Sequence, residues 1–164
     1  KVDGLVAEFT IAENPMLDRS DGEPFVERGS LKLDYLATFA DEKIAEFDIR
    51  APGRQTPVGR LSGGNQQKVV LARELSRELK LLVAAQPTRG LDVGSIEFVH
   101  EQIVSARDAG IPVVVVSTEL DEVTALADRI AVMYKGGIVG IVPADTPREK
   151  LGLMMAGEKA EDAA

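Results

Sequence analysis

The chain has 164 residues, of which 45% are hydrophobic and only 4% aromatic, so it has the size of one domain or a fragment, with an aliphatic core. Its net charge of −8 argues against a nucleic-acid partner, because phosphate backbones are bound by clustered Lys and Arg. The absence of cysteine excludes disulfides and thiolate metal sites. Apolar runs such as 113–116 are far shorter than the roughly 20 residues that cross a bilayer.

The first of two compositional zones, residues 1–60, is polar and contains short helical patterns. Thr10 and Glu13 have the spacing of a capping box, which predicts the start of a helix that Pro15 cuts short. The other elements predicted in this zone are a loop over 21–29, a helix over about 34–47 and a turn-rich connection over 51–59.

The second zone, 61–142, alternates helical and strand patterns. Ser62 is predicted to cap a helix through about Leu79, and the unbroken apolar run 81–85 predicts a strand buried on both faces. Next, the sequence predicts a helix capped by Asp92 and ended by Gly110, and then a buried strand over 112–116. The last predicted elements are a short helix that begins within 118–121, a hairpin of 129–134 with 138–142, and a helix from Pro147 to about 156. This order predicts a parallel sheet with crossover helices and a final antiparallel hairpin.

The segment Ser62-Gly63-Gly64 lies where a loop becomes a helix, and its residue types favour phosphate binding. A helix start offers unpaired N–H groups, glycine allows close approach, and Ser62 adds a hydroxyl. The alternative is a capped helix with a flexible glycine pair. The neighbouring Gln66, Gln67 and Lys68, together with the segment 86–92, favour the phosphate interpretation.

The two segments LSGGNQQK (61–68) and QPTRGLDVG (86–94), the second preceded by the apolar run 81–85, resemble the signature and Walker B regions of ABC-type ATPases. In this form they are similar to the sugar- and nucleoside-import group, in which two nucleotide-binding domains share one polypeptide. The resemblance runs from about Gly4 to Ala156. It implies the C-terminal part of the second domain, an α/β fold of the P-loop NTPase (RecA-like) class with an α-helical subdomain and a terminal hairpin.

The same resemblance divides the chain into three parts. Residues 1–60 would be the remainder of the coupling region and the α-helical subdomain, 61–157 the signature helix and the C-terminal part of the ATPase core, and 158–164 a disordered tail. No G-x-x-x-x-G-K-[ST] phosphate loop occurs in the chain, and the resemblance places that loop before Lys1.

By resemblance, the signature residues close over ATP that the other domain holds. These residues are Ser62, Gly63, Gly64 and Gln66. Residues 90–92 match the D-loop, which crosses the interface between the two domains. Asp92 is equally well interpreted as a simple helix cap, and both roles are compatible.

Three positions depart from the family pattern. Ala85 occupies the slot of the Walker B aspartate and cannot bind Mg²⁺, whose ligands are oxygens, so no metal ligand is predicted. Gln86 occupies the slot of the catalytic glutamate, where its amide orients water but accepts no proton. Thr118 falls in the switch-histidine slot, and its favoured role is to cap the helix from Glu119. This half's own ATP site is therefore predicted to be slow or inactive.

The leading hypothesis is a fragment of the ATP-binding subunit of an importer for sugars or nucleosides. The resemblance implies ATP and Mg²⁺ in the assembled protein, and as partners the N-terminal nucleotide-binding domain, permease subunits and, indirectly, a substrate-binding protein. It implies a peripheral location at the cytoplasmic face of the bacterial membrane. The alternatives are a non-catalytic nucleotide-sensing or scaffold module and a soluble ABC ATPase acting on DNA or ribosomes, which the acidic balance disfavours.

Two expectations concern the isolated chain. Without a phosphate loop and with Ala85 in the metal slot, it is predicted neither to hydrolyse ATP nor to bind it tightly. Calorimetric titration with Mg-ATP tests this, and low-micromolar affinity would contradict it. Its sheet is expected to have an exposed edge, which favours self-association. A clean monomer in sedimentation would contradict that second expectation.

Overall fold

The computed structural model describes residues 4–17 and 23–158. In this part of the chain, short 3-10 helices occupy Asn14–Met16 and Val58–Arg60. The helices are α1 (Leu33–Glu46), α2 (Gly63–Leu75), α3 (Val93–Asp108), α4 (Leu120–Leu126) and α5 (Arg148–Met155). The strands are β1 (Val26–Glu27), β2 (Ser30–Leu31), β3 (Leu82–Ala85), β4 (Val113–Val116), β5 (Arg129–Tyr134) and β6 (Gly137–Pro143).

Contacts divide the chain into two compact units. The first unit comprises residues 1–80 and 88–109, and the second comprises 81–87 and 110–164. The first contains α1, α2 and α3, and the second contains the β3–β4 and β5–β6 sheets. The division predicted at residue 60 stays a prediction.

The capping box predicted in the opening segment is present. The backbone N–H and hydroxyl of Thr10 both donate to Glu13 Oε2 at 2.8 Å, and the Glu13 N–H donates to Thr10 Oγ1 at 3.2 Å. The helix that follows is only the three-residue 3-10 helix Asn14–Met16, with Pro15 near its start. The expectation that Pro15 limits this helix is confirmed.

A buried amide organises the loop around this short helix. Asn14 is fully buried, and its Oδ1 accepts the Val6 N–H at 3.1 Å. Its Nδ2 donates to the carbonyl oxygens of Val6 at 3.2 Å, Phe9 at 3.2 Å and Thr10 at 3.0 Å. The Asn14 side chain therefore pairs the Val6 N–H and adds a second contact to three carbonyl oxygens that already accept backbone N–H groups.

The loop predicted over 21–29 is wrong for its second half. Strands β1 and β2 pair antiparallel, with Val26 opposite Leu31 and Glu27 opposite Ser30. The connecting Arg28 and Gly29 have φ of 50° and 79°, which is the backbone that two-residue hairpin turns need. Residues 21 and 22 lie outside the described residues.

Helix α1 covers Leu33–Glu46, which confirms the predicted helix to within a residue at each end. Its inner side chains pack into an aromatic cluster centred on Phe25, whose ring centroid lies 5.2 Å from that of Phe39 and 5.5 Å from that of Tyr35, both edge to face. The turn-rich connection after it leads through Val58–Arg60 to α2.

Helix α2 begins at Gly63 as predicted but ends at Leu75, not near Leu79. The Ser76 hydroxyl donates to the Ala72 carbonyl at the C-terminal end of the helix, so a local side-chain bond replaces the next turn. Helix α3 has the predicted extent. Its buried residues are Val99, Ile103 and Ala106, and Gly110 follows it with φ of 85°.

In the second unit, β3 and β4 pair parallel, as predicted, in a register that sets Leu82 opposite Val113. The prediction that both strands are buried on both faces is wrong. Val83, Val114 and Val116 are 59%, 46% and 50% exposed on one face of the two-stranded sheet. Continuous apolar runs are typical of doubly covered strands, and in this chain the residues on only one face are covered.

The predicted hairpin is confirmed, with β5 and β6 joined at Lys135 and Gly136, whose φ angles are 45° and 82°. Its buried face packs with α5 in a core of Ile130, Val132, Val142, Leu151 and Met154. Pro147 occupies the cap position before α5 rather than the first helical position, and no side chain caps this helix. The predicted tail beyond Glu158 lies outside the described residues.

Candidate functional site

Ser62 is the N-cap of α2, as predicted. Its extended backbone ends the preceding loop, and its Oγ accepts hydrogen bonds from Asn65 N at 3.4 Å and Asn65 Nδ2 at 3.0 Å. A hydroxyl has two acceptor lone pairs and one proton, so both lone pairs of Ser62 are used. The hydroxyl proton of the exposed Ser62 is therefore left to donate to a further acceptor.

The two glycines that follow leave their backbone N–H groups unpaired. Within the described residues, neither the Gly63 N–H nor the Gly64 N–H has a hydrogen-bond acceptor, as the first turn of a helix dictates. Gly63 is half-buried and Gly64 is buried. Free amides, the positive end of a 13-residue helix and a hydroxyl donor together make a local arrangement suited to an anion.

Gly64 has a second role, because its Cα lies against the start of α3. A Cβ at this position would lie 2.1 Å from Ser95 Oγ, 3.0 Å from Ser95 Cβ and 3.3 Å from Asp92 Oδ2. No side chain fits there without displacing Ser95. The missing side chain of Gly64 thus allows the signature turn, defined as residues 62–64, to pack closely on Asp92 and Ser95 at the start of α3.

Asp92 is the N-cap of α3, which confirms its capping interpretation. Its Oδ1 accepts the Ser95 N–H at 3.0 Å and its Oδ2 accepts the Ser95 hydroxyl at 2.8 Å. The hydrogen bond from the Ser95 backbone, followed by that from its hydroxyl, lowers the pKa of Asp92. The D-loop role of Asp92 stays a prediction.

The amide residues of the signature point back into their own unit. Asn65 Oδ1 accepts the Arg50 N–H at 2.8 Å while its Nδ2 holds Ser62, and Gln66 Nε2 donates to the Leu61 carbonyl at 3.0 Å. Asn65 therefore links the signature turn to the connection that follows α1. Gln66 fixes the loop before the helix, and its predicted contact with nucleotide stays a prediction.

Lys68 anchors α2 to the loop after α1 and to α3, a role that sequence reasoning missed. Its Nζ donates to the carbonyl oxygen of Asp48 at 2.8 Å and to Asp48 Oδ2 at 3.0 Å, and it lies 4.6 Å from the ring centroid of Phe98. The hydrogen bond from Lys68 lowers the pKa of Asp48. The partners are 20 and 30 positions away in sequence, so only the fold reveals them.

In the second unit, Ala85 and Gln86 lie at the carboxyl end of β3, and Thr118 follows β4. Gln86 has φ of 49°, its N–H donates to the Val116 carbonyl at 2.7 Å, and the Thr118 hydroxyl donates to Gln86 Oε1 at 3.4 Å. The structure therefore brings Gln86 and Thr118 together at the carboxyl ends of β3 and β4. Their roles in a degenerate ATP site stay predictions.

The favoured role of Thr118 as a helix cap is wrong. The N-cap of α4 is Glu119, without a side-chain cap bond, and its N–H donates to Ser117 Oγ at 3.0 Å. Thr118 faces Gln86 because the strand ends hold both side chains at one sheet edge.

Helix α3 carries His100, half-buried beside the buried Val99.

Residues 4–17 and 23–158 contain no group of three or more His, Cys, Asp or Glu side chains that could hold a metal ion. The same residues include no helix with the length and apolarity that crossing a membrane requires.

The fold is that of an ABC ATPase cassette, which confirms the predicted fold class. The structure of the ATP-binding cassette MJ0796, dimeric and bound to ADP and Pi, superposes with a TM-score of 0.68 and 24% sequence identity, covering 87% of this chain and 60% of that one. No family model matches the chain.

Curated relatives show which group of ABC ATP-binding proteins the chain is similar to. The chain is 47% identical over 156 residues to the nucleoside import ATP-binding protein NupA of Lactococcus lactis, covering 94% of this chain and 31% of the relative. It is 48% identical over 157 residues to the glucose import ATP-binding protein TsgD13 of Haloferax volcanii, covering 94% of this chain and 28% of the relative. The chain belongs to the ABC ATP-binding proteins of the sugar- and nucleoside-import group and spans about a third of the length of these relatives.

Three carboxylates predict how stability depends on pH. Hydrogen bonds in the folded state lower the pKa of Glu13 from 4.5, through the Thr10 N–H first, and the pKa values of Asp48 and Asp92 from 3.8. A lowered pKa stabilises the fold above the unfolded-state pKa, and this stabilisation is lost as pH falls through the folded-state value. Urea unfolding should therefore show decreasing stability below about pH 4.5.

The replacement Glu13→Gln tests the share of this pH dependence that comes from the capping box. The variant should be less stable than the wild type above about pH 5, and the difference should shrink at lower pH. Glu8→Gln removes the same charge from the same segment and serves as the control, because the Glu8 side chain makes no hydrogen bond with the described residues. A difference for Glu13→Gln that is constant with pH would contradict the linkage.

Proposed function

We propose that this chain is part of the ATP-binding subunit of an ABC importer for nucleosides or sugars, and that its signature turn completes an ATP site on a partner nucleotide-binding domain. The observation that carries the proposal is the pair of unpaired amides at Gly63 and Gly64, adjacent to the exposed residue Ser62 and its hydroxyl. These donors suit the terminal phosphoryl group of ATP. The printed names of the relatives support the importer class.

The second part of the proposal is that this half's own ATP site does little hydrolysis. Ala85 offers no oxygen for Mg²⁺, and Gln86 offers an amide where a proton acceptor is needed. The hydrogen bond between Thr118 and Gln86 supports this assignment, because it ties the Gln86 amide oxygen to the Thr118 hydroxyl. ATP would then be hydrolysed, with Mg²⁺ as cofactor, at the site whose phosphate loop the partner supplies.

In the assembled protein, the partners would be the other nucleotide-binding domain of the same polypeptide and permease subunits in the membrane. The protein would then lie peripherally at the cytoplasmic face, with a substrate-binding protein acting indirectly through the permease. A second candidate, a nucleotide-sensing or scaffold half that takes no part in turnover, is supported by Ala85, Gln86 and Thr118.

One experiment separates the two candidates in the full-length polypeptide. The replacement Gly63→Glu sets a carboxylate beside the amides, and it should lower the ATPase rate by about tenfold or more, because it repels the phosphoryl group and blocks its donors. The control Gly152→Glu adds the same charge on α5, where a Cβ meets no atom within 4 Å, and should leave the rate unchanged. Unchanged turnover in folded Gly63→Glu would favour the non-catalytic candidate.

Gln86→Ala provides the complementary measurement in the same polypeptide. If the site of this half contributes little hydrolysis, removing the amide should leave the ATPase rate within about twofold of the wild type. A loss of an order of magnitude would assign Gln86 a direct catalytic role and contradict the second part of the proposal.

A further inference from the structure

The chain is acidic overall, but the segment around the signature turn is strongly basic. The chain carries a net charge of −8, yet residues 49–73 contain no Asp or Glu. The same segment contains five cationic residues, namely Arg50, Arg54, Arg60, Lys68 and Arg73. Positive charge is therefore concentrated where the unpaired amides of α2 already favour an anion.

Three of these arginines line one groove, which reaches the signature turn. The groove has a volume of about 800 Å³, and Arg50, Arg54 and Arg60 share its walls with Ser62 and Asn65. Among the residues that the structure describes, no acidic side chain lines it. Pro52 and Pro57 in its walls restrict the backbone.

The arginines differ in how far their charges are neutralised. Arg54 is committed to Asp41, with a guanidinium-to-carboxylate distance of 2.6 Å. Arg50 is 82% exposed and has only a long 3.7 Å contact with Asp48, whose carboxylate already binds Lys68. The exposed Arg60 side chain makes no ion pair or hydrogen bond with the described residues.

Asn65 fixes the position of this charge relative to the signature. It accepts the backbone N–H of Arg50 at 2.8 Å and donates to Ser62 Oγ at 3.0 Å. The Asn65 side chain therefore fixes the position of the Arg50 backbone relative to Ser62, the cap of α2. Guanidinium groups bind phosphate through paired donors, and they do so best when not already neutralised.

We propose that Arg50 and Arg60 bind the phosphate chain of a nucleoside triphosphate whose terminal phosphoryl group meets Ser62 and Gly63, with Asn65 as a positioning residue. This assignment rests on the proposed function and extends it from the signature turn into the arginine groove. Arg54 shapes the groove through Asp41 and contributes less to binding.

The test uses the 164-residue chain and inorganic tripolyphosphate as the probe, followed by NMR at low ionic strength. Tripolyphosphate should shift the Gly63 and Gly64 amides and the Arg60 side-chain signal with weak, salt-sensitive affinity. Arg50→Gln and Arg60→Gln should each weaken binding about threefold or more. The matched control Arg107→Gln removes an equal charge from the end of α3, where Arg107 pairs with Asp108, and should have little effect.

The outcomes separate this inference from the proposed function. Glycine amide shifts that neither groove variant weakens would overturn the arginine assignment and leave the signature proposal standing. Weakening by the groove variants without a response at Gly63 or Gly64 would support anion binding by the arginines while contradicting the link to the signature. Equal weakening by Arg107→Gln would reduce the effect to overall charge and overturn the inference. Adenosine, which lacks phosphate, should cause no shift in the groove.

Discussion

Replacing Gly64 with alanine should lower the free energy of unfolding by about 2–3 kcal/mol, although the same change at most helical positions is stabilising. The added Cβ would lie 2.1 Å from Ser95 Oγ and 3.0 Å from Ser95 Cβ. Rotating the Ser95 hydroxyl away would break its 2.8 Å bond to Asp92, so the clash is not relieved without loss. Urea unfolding of the variant measures the effect.

A double replacement makes this expectation specific. Ser95→Ala removes the nearest atom and the hydroxyl bond to Asp92, so Gly64→Ala should cost less in that background than in the wild type. Gly94→Ala is the matched control, because its Cβ would meet only Asp92 Oδ1 at an ordinary 3.6 Å. Additive losses for Gly64→Ala and Ser95→Ala would show that the two positions do not share a contact.

The contact at Gly64 also has a mechanistic consequence. The signature turn begins α2, and Asp92 begins α3, so the packing of Gly64 on Ser95 joins the starts of the two helices. If the signature and D-loop roles hold, the two turns would move together when a partner domain closes. In the full-length protein, a loosened contact should therefore lower ATP turnover even where folding is retained.

Much of the candidate site follows from local sequence, because helix starts are encoded locally. Ser62 and Asp92 have the residue types that cap helices, and both do so. The hairpin at Lys135–Gly136 was predicted from its flanking strand patterns. By contrast, the turn at Arg28–Gly29 lacks the usual Asn-Gly or Asp-Gly signal, so a loop was predicted where a hairpin forms.

The missed features depend on contacts between distant parts of the chain. The partners of Lys68 and Asn65 lie at Asp48 and Arg50, and no periodicity links these positions. The apolar runs of β3 and β4 were read as doubly buried, but burial depends on what packs over each face rather than on the strand itself. The basic segment was hidden by the average charge, and a window of residue charges along the chain would have found it.

Asn14→Ala is expected to be the other severe substitution, with a loss of about 3 kcal/mol in the free energy of unfolding. It would remove the side-chain acceptor of the Val6 N–H and the contacts of a fully buried amide with three carbonyl oxygens, each of which also accepts a backbone N–H. Asn14→Asp keeps an acceptor for Val6 but loses both donors, so its effect should also be large. Urea denaturation of both variants gives the comparison, and a loss below about 1 kcal/mol for Asn14→Ala would contradict this account.

The consequence should extend to the arginine groove, because the loop that Asn14 holds pairs with the groove wall. The Val58 N–H donates to the Phe9 carbonyl at 2.9 Å, and the Ala12 N–H donates to the Arg54 carbonyl at 3.1 Å. Loosening the loop should therefore speed hydrogen exchange at the Val58 amide, while the Val99 amide in α3 should change only by the global loss of stability. Equal acceleration at both amides would show that Asn14 supports the unit as a whole rather than the wall of the groove.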